Sequence, residues 1–131
     1  MARLHFRDEK NRNFYEACED VRRTHVGYLS TKQIASRGEE RSCECFYMSS
    51  SHLKFLLWQI NTDRYVASKF CHIREKHMEI YNRYKLLLSE HPDKPLSWYA
   101  HEISLQPAPR FYLDKDYATI LYYKLMNSKI K

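Results

Sequence analysis

Residues 46–60 read FYMSSSHLKFLLWQI and residues 111–125 read FYLDKDYATILYYKL, and the two stretches match at a shift of 65. Each opens on a Phe-Tyr pair, passes a residue that caps helices, Ser49 or Asp114, and continues with apolar residues at helical spacing. Those residues are Leu53, Leu56, Leu57 and Ile60 in the first stretch and Ala118, Leu121, Tyr122 and Leu125 in the second. A short oxygen-bearing side chain ahead of such a stripe accepts from the orphan N–H groups of a first helical turn. Both stretches therefore predict an aromatic turn leading into a capped amphipathic helix.

The agreement continues upstream. Leu29-Ser30 falls on Leu96-Ser97 at a shift of 67, and each serine is expected to open a short helix, 31–37 or 98–105. Phe14-Tyr15 with Cys18 and Val21 falls on Ile80-Tyr81 with Tyr84 and Leu87 at a shift of 66. Any two helices can be slid until their apolar positions agree, so the weight rests on three blocks recurring in one order. The pattern predicts an all-α protein: two tandem three-helix, helix-turn-helix-like units sharing one core in a single domain, 1–131, with pseudo-repeats 8–61 and 63–128.

The first repeat opens with a helix over 8–24. The second opens with a long central helix over 63–89, capped by Thr62 or Asp63 and closed before Pro92. Val66, Phe70, Ile73, His77, Ile80, Tyr84 and Leu87 form its seam, where His77 is expected as a hydrogen-bonded interior histidine. The loops before the aromatic turns differ: RGEERSCEC over 37–45 against QPAPR over 106–110.

Composition agrees with helices. Two glycines, Gly27 and Gly38, and four prolines are few for the turns of an all-β domain, and 131 residues bury a core without disulfides. Cys18, Cys43, Cys45 and Cys71, with no apolar run resembling a signal peptide or membrane span, point to free thiols in a reducing cytosol and to no membrane association. Their spacing, with His52, His72 and His77, fits no common zinc site, so no metal is expected. The chain has no nucleophile elbow, glycine-rich phosphate loop or HExxH, which argues against an enzyme and against a cofactor.

A helix, a turn and a second capped helix with polar residues at its front describe a reader of the DNA major groove. In the first repeat Ser50, Ser51 and Lys54 stand at the front of the candidate reading helix, with Gln59 further along and Arg41 in the turn before it. In the second, Lys115, Thr119 and Lys124 take those places behind Arg110, with Asp114 and Asp116 as poor neighbours for phosphate. The net charge of +6 is compatible with a double-stranded DNA partner without demanding one. Two such units in one chain would mimic a dimeric regulator, with half-sites about one helical turn apart.

A rival reading starts from the eleven tyrosines. They exceed what a small core hides and suggest a docking surface for a protein partner, with Trp58, Tyr99 and Tyr123 as anchors. Scattered lysines and arginines would favour it; a basic face at the third helices would favour DNA. Both the oligomeric state and a β-wing are open at this level.

The segments LSWYAHEI over 96–103 and QPAPRFYL over 106–113, with EIYNRY over 79–84, resemble a small uncharacterised family of Bacteroidetes phages and mobile elements that carries a QPAPxFY segment before a helix. The resemblance covers 78–126; the first half departs from it, with Cys43-Glu44-Cys45 where Pro-Ala-Pro would sit. It implies no activity. Its implication is setting: a phage or mobile-element accessory in a bacterial cytoplasm.

Overall fold

The computed structural model describes the backbone of residues 2–130 and the side chains of 6–128. Among these residues six helices follow in order: α1 (Ala2–Thr24), α2 (Thr31–Glu39), α3 (Ser50–Asn61), α4 (Cys71–Glu90), α5 (Leu96–Ser104) and α6 (Lys115–Ile130). No sheet forms among the described residues; one antiparallel bridge joins Cys43 and Ala108.

Three of the expected caps form. The Ser30 hydroxyl accepts from the Gln33 N–H at 3.2 Å while the Ser30 N–H donates back to Gln33 Oε1 at 2.9 Å, a reciprocal pair that fixes the start of α2. Ser49 Oγ accepts from the His52 N–H at 3.1 Å and Asp114 Oδ2 from the Tyr117 N–H at 3.1 Å. Ser97, expected as the cap of α5, lies inside the helix instead. Pro95 holds the cap position at φ −72°, ψ 158°, because its ring presets the extended entry and its carbonyl accepts from the Trp98 N–H.

The long central helix is shorter than its seam predicts. Asp63 adopts φ +59° and the Arg64 N–H bonds the Gln59 carbonyl at 2.8 Å, which ends α3 and turns the chain away from helix. Residues 64–70 run without helix, held to α4 where the Tyr65 hydroxyl and His77 Nδ1 hydrogen-bond at 3.0 Å and Arg74 Nη1 donates to the Ser68 carbonyl at 2.8 Å. Val66 and Phe70 are accordingly exposed rather than seamed, whereas Ile80 and Tyr84 are buried. In the other direction α1 begins at Ala2, ahead of the expected position 8.

The helices sort into two compact units that do not coincide with the sequence halves. Unit 1 comprises Met1–Cys43 and Ala108–Lys131, hence α1, α2 and α6; unit 2 is Glu44–Pro107, hence α3, α4 and α5. The third helix of each half therefore packs with the first two of the other, an exchange that the expectation of two tandem units sharing one core did not specify. The physical reason lies in the loops before the third helices. Phe111 packs edge-on against Phe14, ring centroids 5.6 Å apart, and its N–H bonds the Glu39 carbonyl at 2.9 Å, tying α6 to α1 and α2. In unit 2 the Arg83 guanidinium of α4 sits 5.4 Å from the Phe46 ring and donates to Gln106 Oε1 and the Pro107 carbonyl.

Each unit has its own buried set: Phe14, Cys18, Ile34, Phe111, Ala118 and Tyr122 in unit 1, and Leu53, Leu57, Ile80, Tyr84, Tyr99 and Ile103 in unit 2. The repeated aromatic turn is real at the backbone. Tyr47 and Tyr112, equivalent at the shift of 65, both sit at φ +57°, a left-handed conformation that tyrosine rarely takes. Gly38 lets α2 approach α1: a Cβ there would lie 2.5 Å from Cys18 Sγ and 3.2 Å from its Cα.

Candidate functional site

The residues expected to read DNA are divided between the two units. Ser50, Ser51, Lys54 and Gln59 belong to α3 in unit 2, whereas Arg41, Arg110, Lys115, Thr119 and Lys124 belong to unit 1. On α3, Ser51 and Lys54 are exposed and Ser50 is half-buried at the first turn; Gln59 is half-buried near the C-terminal end. Arg41 does not stand ahead of α3 as a phosphate ligand. Its Nη1 lies 2.7 Å from Asp20 Oδ2 on α1, in the other unit from α3.

Arg110 and Lys115 converge on Glu39, the one buried charged side chain among the described residues. Arg110 Nε donates to Glu39 Oε2 at 2.9 Å, Lys115 Nζ lies 2.8 Å from Oε1, and the Tyr112 N–H donates to Oε2 at 3.1 Å. Lys115 also donates to Glu40 Oε1 and the Ser36 carbonyl. Burial pushes the Glu39 carboxyl up, but the hydrogen bonds and charges of Arg110 and Lys115 together outweigh it and hold the group below its ordinary value. This cluster fastens the aromatic turn to the end of α2, so its cations serve the fold. Thr119 likewise turns inward along its own helix, its hydroxyl donating to the Lys115 carbonyl at 3.0 Å. Lys124 is exposed.

The outer faces of the third helices bear two of the expected docking anchors, Trp58 and Tyr123, beside Phe55 and Ile120, which the sequence reading passed over. On α3, Phe55 is 54% and Trp58 38% exposed; the rings stack at 5.9 Å, and the Arg64 guanidinium lies 5.1 Å from the indole. On α6, Ile120 is 53% and Tyr123 57% exposed, with Tyr117 one turn before them. Phe55 and Ile120, and Trp58 and Tyr123, are equivalents at the shift of 65. The signal was present: these positions step by three between the buried ones. Tyr99, expected as a docking anchor beside Trp58 and Tyr123, is a core residue instead, its hydroxyl donating to the His91 carbonyl.

Unit 2 also holds a cleft of about 230 Å³ lined by Ile60, Tyr65, Ala67, Arg74, His77, Met78 and Tyr81. Its wall is almost wholly carbon. Burial, then the charges of Lys76 and His52, lowers the His77 pKa, so the imidazole stays neutral against this wall at ordinary pH. No sequence feature marks the cleft, because it depends on α4 starting at Cys71 and leaving 64–70 to form one side.

Among the described residues no group of three or more His, Cys, Asp or Glu side chains is placed to hold a metal ion. No described helix is long and apolar enough to cross a membrane. Compared with protein-family models, curated proteins and solved structures, the chain matches none, so a functional reading rests on its own geometry.

Proposed function

We propose that the chain is a non-enzymatic docking protein that offers a protein partner the outer faces of its third helices. One observation carries the reading: Phe55 and Trp58 on α3 recur as the exposed Ile120 and Tyr123 on α6. Large apolar side chains held out of a core lose free energy in water, and Trp and Tyr dominate the energetics of protein interfaces. A face kept apolar in both copies of a repeat fits that role. The test is photo-crosslinking in cells, with a benzophenone amino acid at Phe55 or Ile120 and, as a control, at the exposed Arg12. Discrete adducts are expected from the two faces only, and to vanish with Trp58→Glu or Tyr123→Glu; equal adducts from Arg12 would end the reading.

A second reading, a double-stranded DNA-binding accessory or regulator, is favoured by Ser51 and Lys54 on the exposed front of α3 and by the net charge. It is weakened because Arg41, Arg110 and Lys115 are engaged by Asp20, Glu39 and Glu40. Fluorescence anisotropy against random-sequence duplex over a salt series separates the two. Steep salt dependence, reduced by Lys54→Ala, would favour DNA; no binding at low salt favours docking. The phage or mobile-element setting is carried by the resemblance of the second half alone.

A further inference from the structure

We infer that the cleft of unit 2 receives an apolar side chain from an acidic amphipathic segment of the partner. The inference deepens the docking reading and rests on it. At about 230 Å³ the cleft is smaller than the roughly 300–1,000 Å³ of small-molecule and cofactor sites, and is matched to one or two protruding side chains. Ile60, Ala67 and Met78 give it an aliphatic wall, and the rings of Tyr65, His77 and Tyr81 complete it. A nucleobase would bring ring-edge donors and acceptors that this wall leaves unpaired, at a cost an aliphatic knob does not incur.

In unit 1 Tyr15 packs on Tyr122 at 6.1 Å, whereas the equivalent pair in unit 2 is Tyr81 and Leu57, and Tyr81 lines the cleft. Tyr81 thus faces the cleft where its equivalent Tyr15 has an aromatic neighbour. Further apolar surface follows on the same unit, with Val66, Phe70 and Met78 exposed along the segment and helix that form the walls.

Charge selects the occupant. The stretch from Lys54 to Glu79 carries Lys54, Arg64, Lys69, Arg74 and Lys76 against Asp63, Glu75 and Glu79. Of these acids, Glu79 lies 3.6 Å from Arg83 and Glu75 accepts from the Cys71 thiol at 3.2 Å, while Arg74 itself lines the cleft. An apolar opening with Arg74 in its lining, on a segment and helix where cations outnumber acids, suits a helix that presents leucine-like residues on one face and carboxylates beside them.

The probe is a fluorescein-labelled amphipathic peptide of Glu and Leu, compared with the same pattern in Lys and Leu, titrated by anisotropy against the full chain. The Glu/Leu peptide is expected to bind at least ten-fold more tightly and to weaken with salt. Ala67→Phe, which fills the cleft from an exposed position, should weaken it ten-fold or more, as should Lys69→Glu with Arg74→Glu. Met78→Lys on the exposed face of α4 serves as a second variant, and circular dichroism confirms that each variant is folded. Equal binding of the two peptides, or binding unchanged in both Ala67→Phe and Met78→Lys, would overturn the inference. So would duplex DNA displaced by Ala67→Phe, or self-association of the chain lost in that variant, since each names a different occupant. Crosslinks at Phe55 and Ile120 that persist when the peptide fails would remove the cleft and spare the docking reading; loss of both would remove the reading itself.

Discussion

Cys43 and Ala108 exchange both of their backbone hydrogen bonds, Cys43 N–H to the Ala108 carbonyl at 2.9 Å and Ala108 N–H to the Cys43 carbonyl at 3.0 Å. They are also equivalent positions of the repeat, 65 residues apart, as Phe46 and Phe111 are. Both residues belong to unit 1, where the two segments that enter the aromatic turns run side by side. The crossing of the two repeats thus has a physical address, just ahead of the aromatic turns.

Glu39→Ala should destabilise the protein by about 3 kcal/mol, measured by urea unfolding followed by circular dichroism. Removing one partner of a buried ion pair costs roughly 3–5 kcal/mol, and the partial exposure of Arg110 and Lys115 places this case at the low end. Glu39→Gln should cost less, because an oxygen remains to accept from the Tyr112 N–H.

Stability should be highest between about pH 7 and about pH 8 and fall on both sides, first below as His77, lowered by burial, resists protonation, and first above as Cys18, pushed up by burial to about 12, resists ionisation. Desolvation raises the buried Glu39 and the half-buried Glu19, but each is held below the ordinary 4.5 by its partners, Arg110 and Lys115 for one and Arg22 with Tyr15 and Tyr122 for the other. A carboxyl depressed in the folded state stabilises above its unfolded pKa, and that contribution is lost as pH falls through the folded value. Tyr122 is pushed up to about 12 by burial and by Glu19, so its contribution is present below the ordinary 10.0 and is lost as pH rises through the folded value. Urea midpoints across pH provide the check; a flat profile down to pH 2 would contradict the Glu39 assignment.

Gly38→Ala should cost about 1–3 kcal/mol in spite of alanine's better helix propensity, because the new methyl group meets Cys18 Sγ and backbone. Pairing it with Cys18→Ala should recover part of the loss. Additive losses in the double mutant would show that the two sites are not in contact.

At Asp63, glycine should be neutral or mildly stabilising, whereas valine should cost about 1–2 kcal/mol, since φ +59° opposes a β-branched side chain. Thermal melts of the two variants separate by several degrees if the turn is as described.

Iodoacetamide at pH 8 should label Cys71 long before Cys18, as read by mass spectrometry of the folded protein. Cys71 is exposed, while burial and then Glu19 push the Cys18 thiol up to about 12. Equal rates would mean that unit 1 opens readily.

The helices were legible because their information is local. Ser30, Ser49 and Asp114 announce their caps, and the Phe-Tyr turns recur with the same backbone at Tyr47 and Tyr112. The period alone failed at Val66 and Phe70, where apolar spacing continued but the left-handed Asp63 and the Tyr65–His77 contact held the chain out of helix. Helix pairing was illegible for a different reason: each third helix has an apolar stripe that fits either half, and the choice was made by Glu39 with Arg110 and by Arg83 with Gln106. The same choice hid the site. Arg41, Arg110 and Lys115 looked available only while their carboxylates, distant in sequence, were out of view.

Unit 1 is interrupted, and the interruption has a consequence for biosynthesis. Its first two helices leave the ribosome before all of Glu44–Pro107, while α6, which covers Phe14, Cys18 and Tyr15, emerges only afterwards. At roughly 5–20 residues per second the nascent α1–α2 hairpin waits several seconds with its apolar side uncovered, and the nested unit finishes first. Slow translation of that insert would lengthen the window in which chaperones, or a neighbouring nascent chain supplying its own α6, can capture the hairpin.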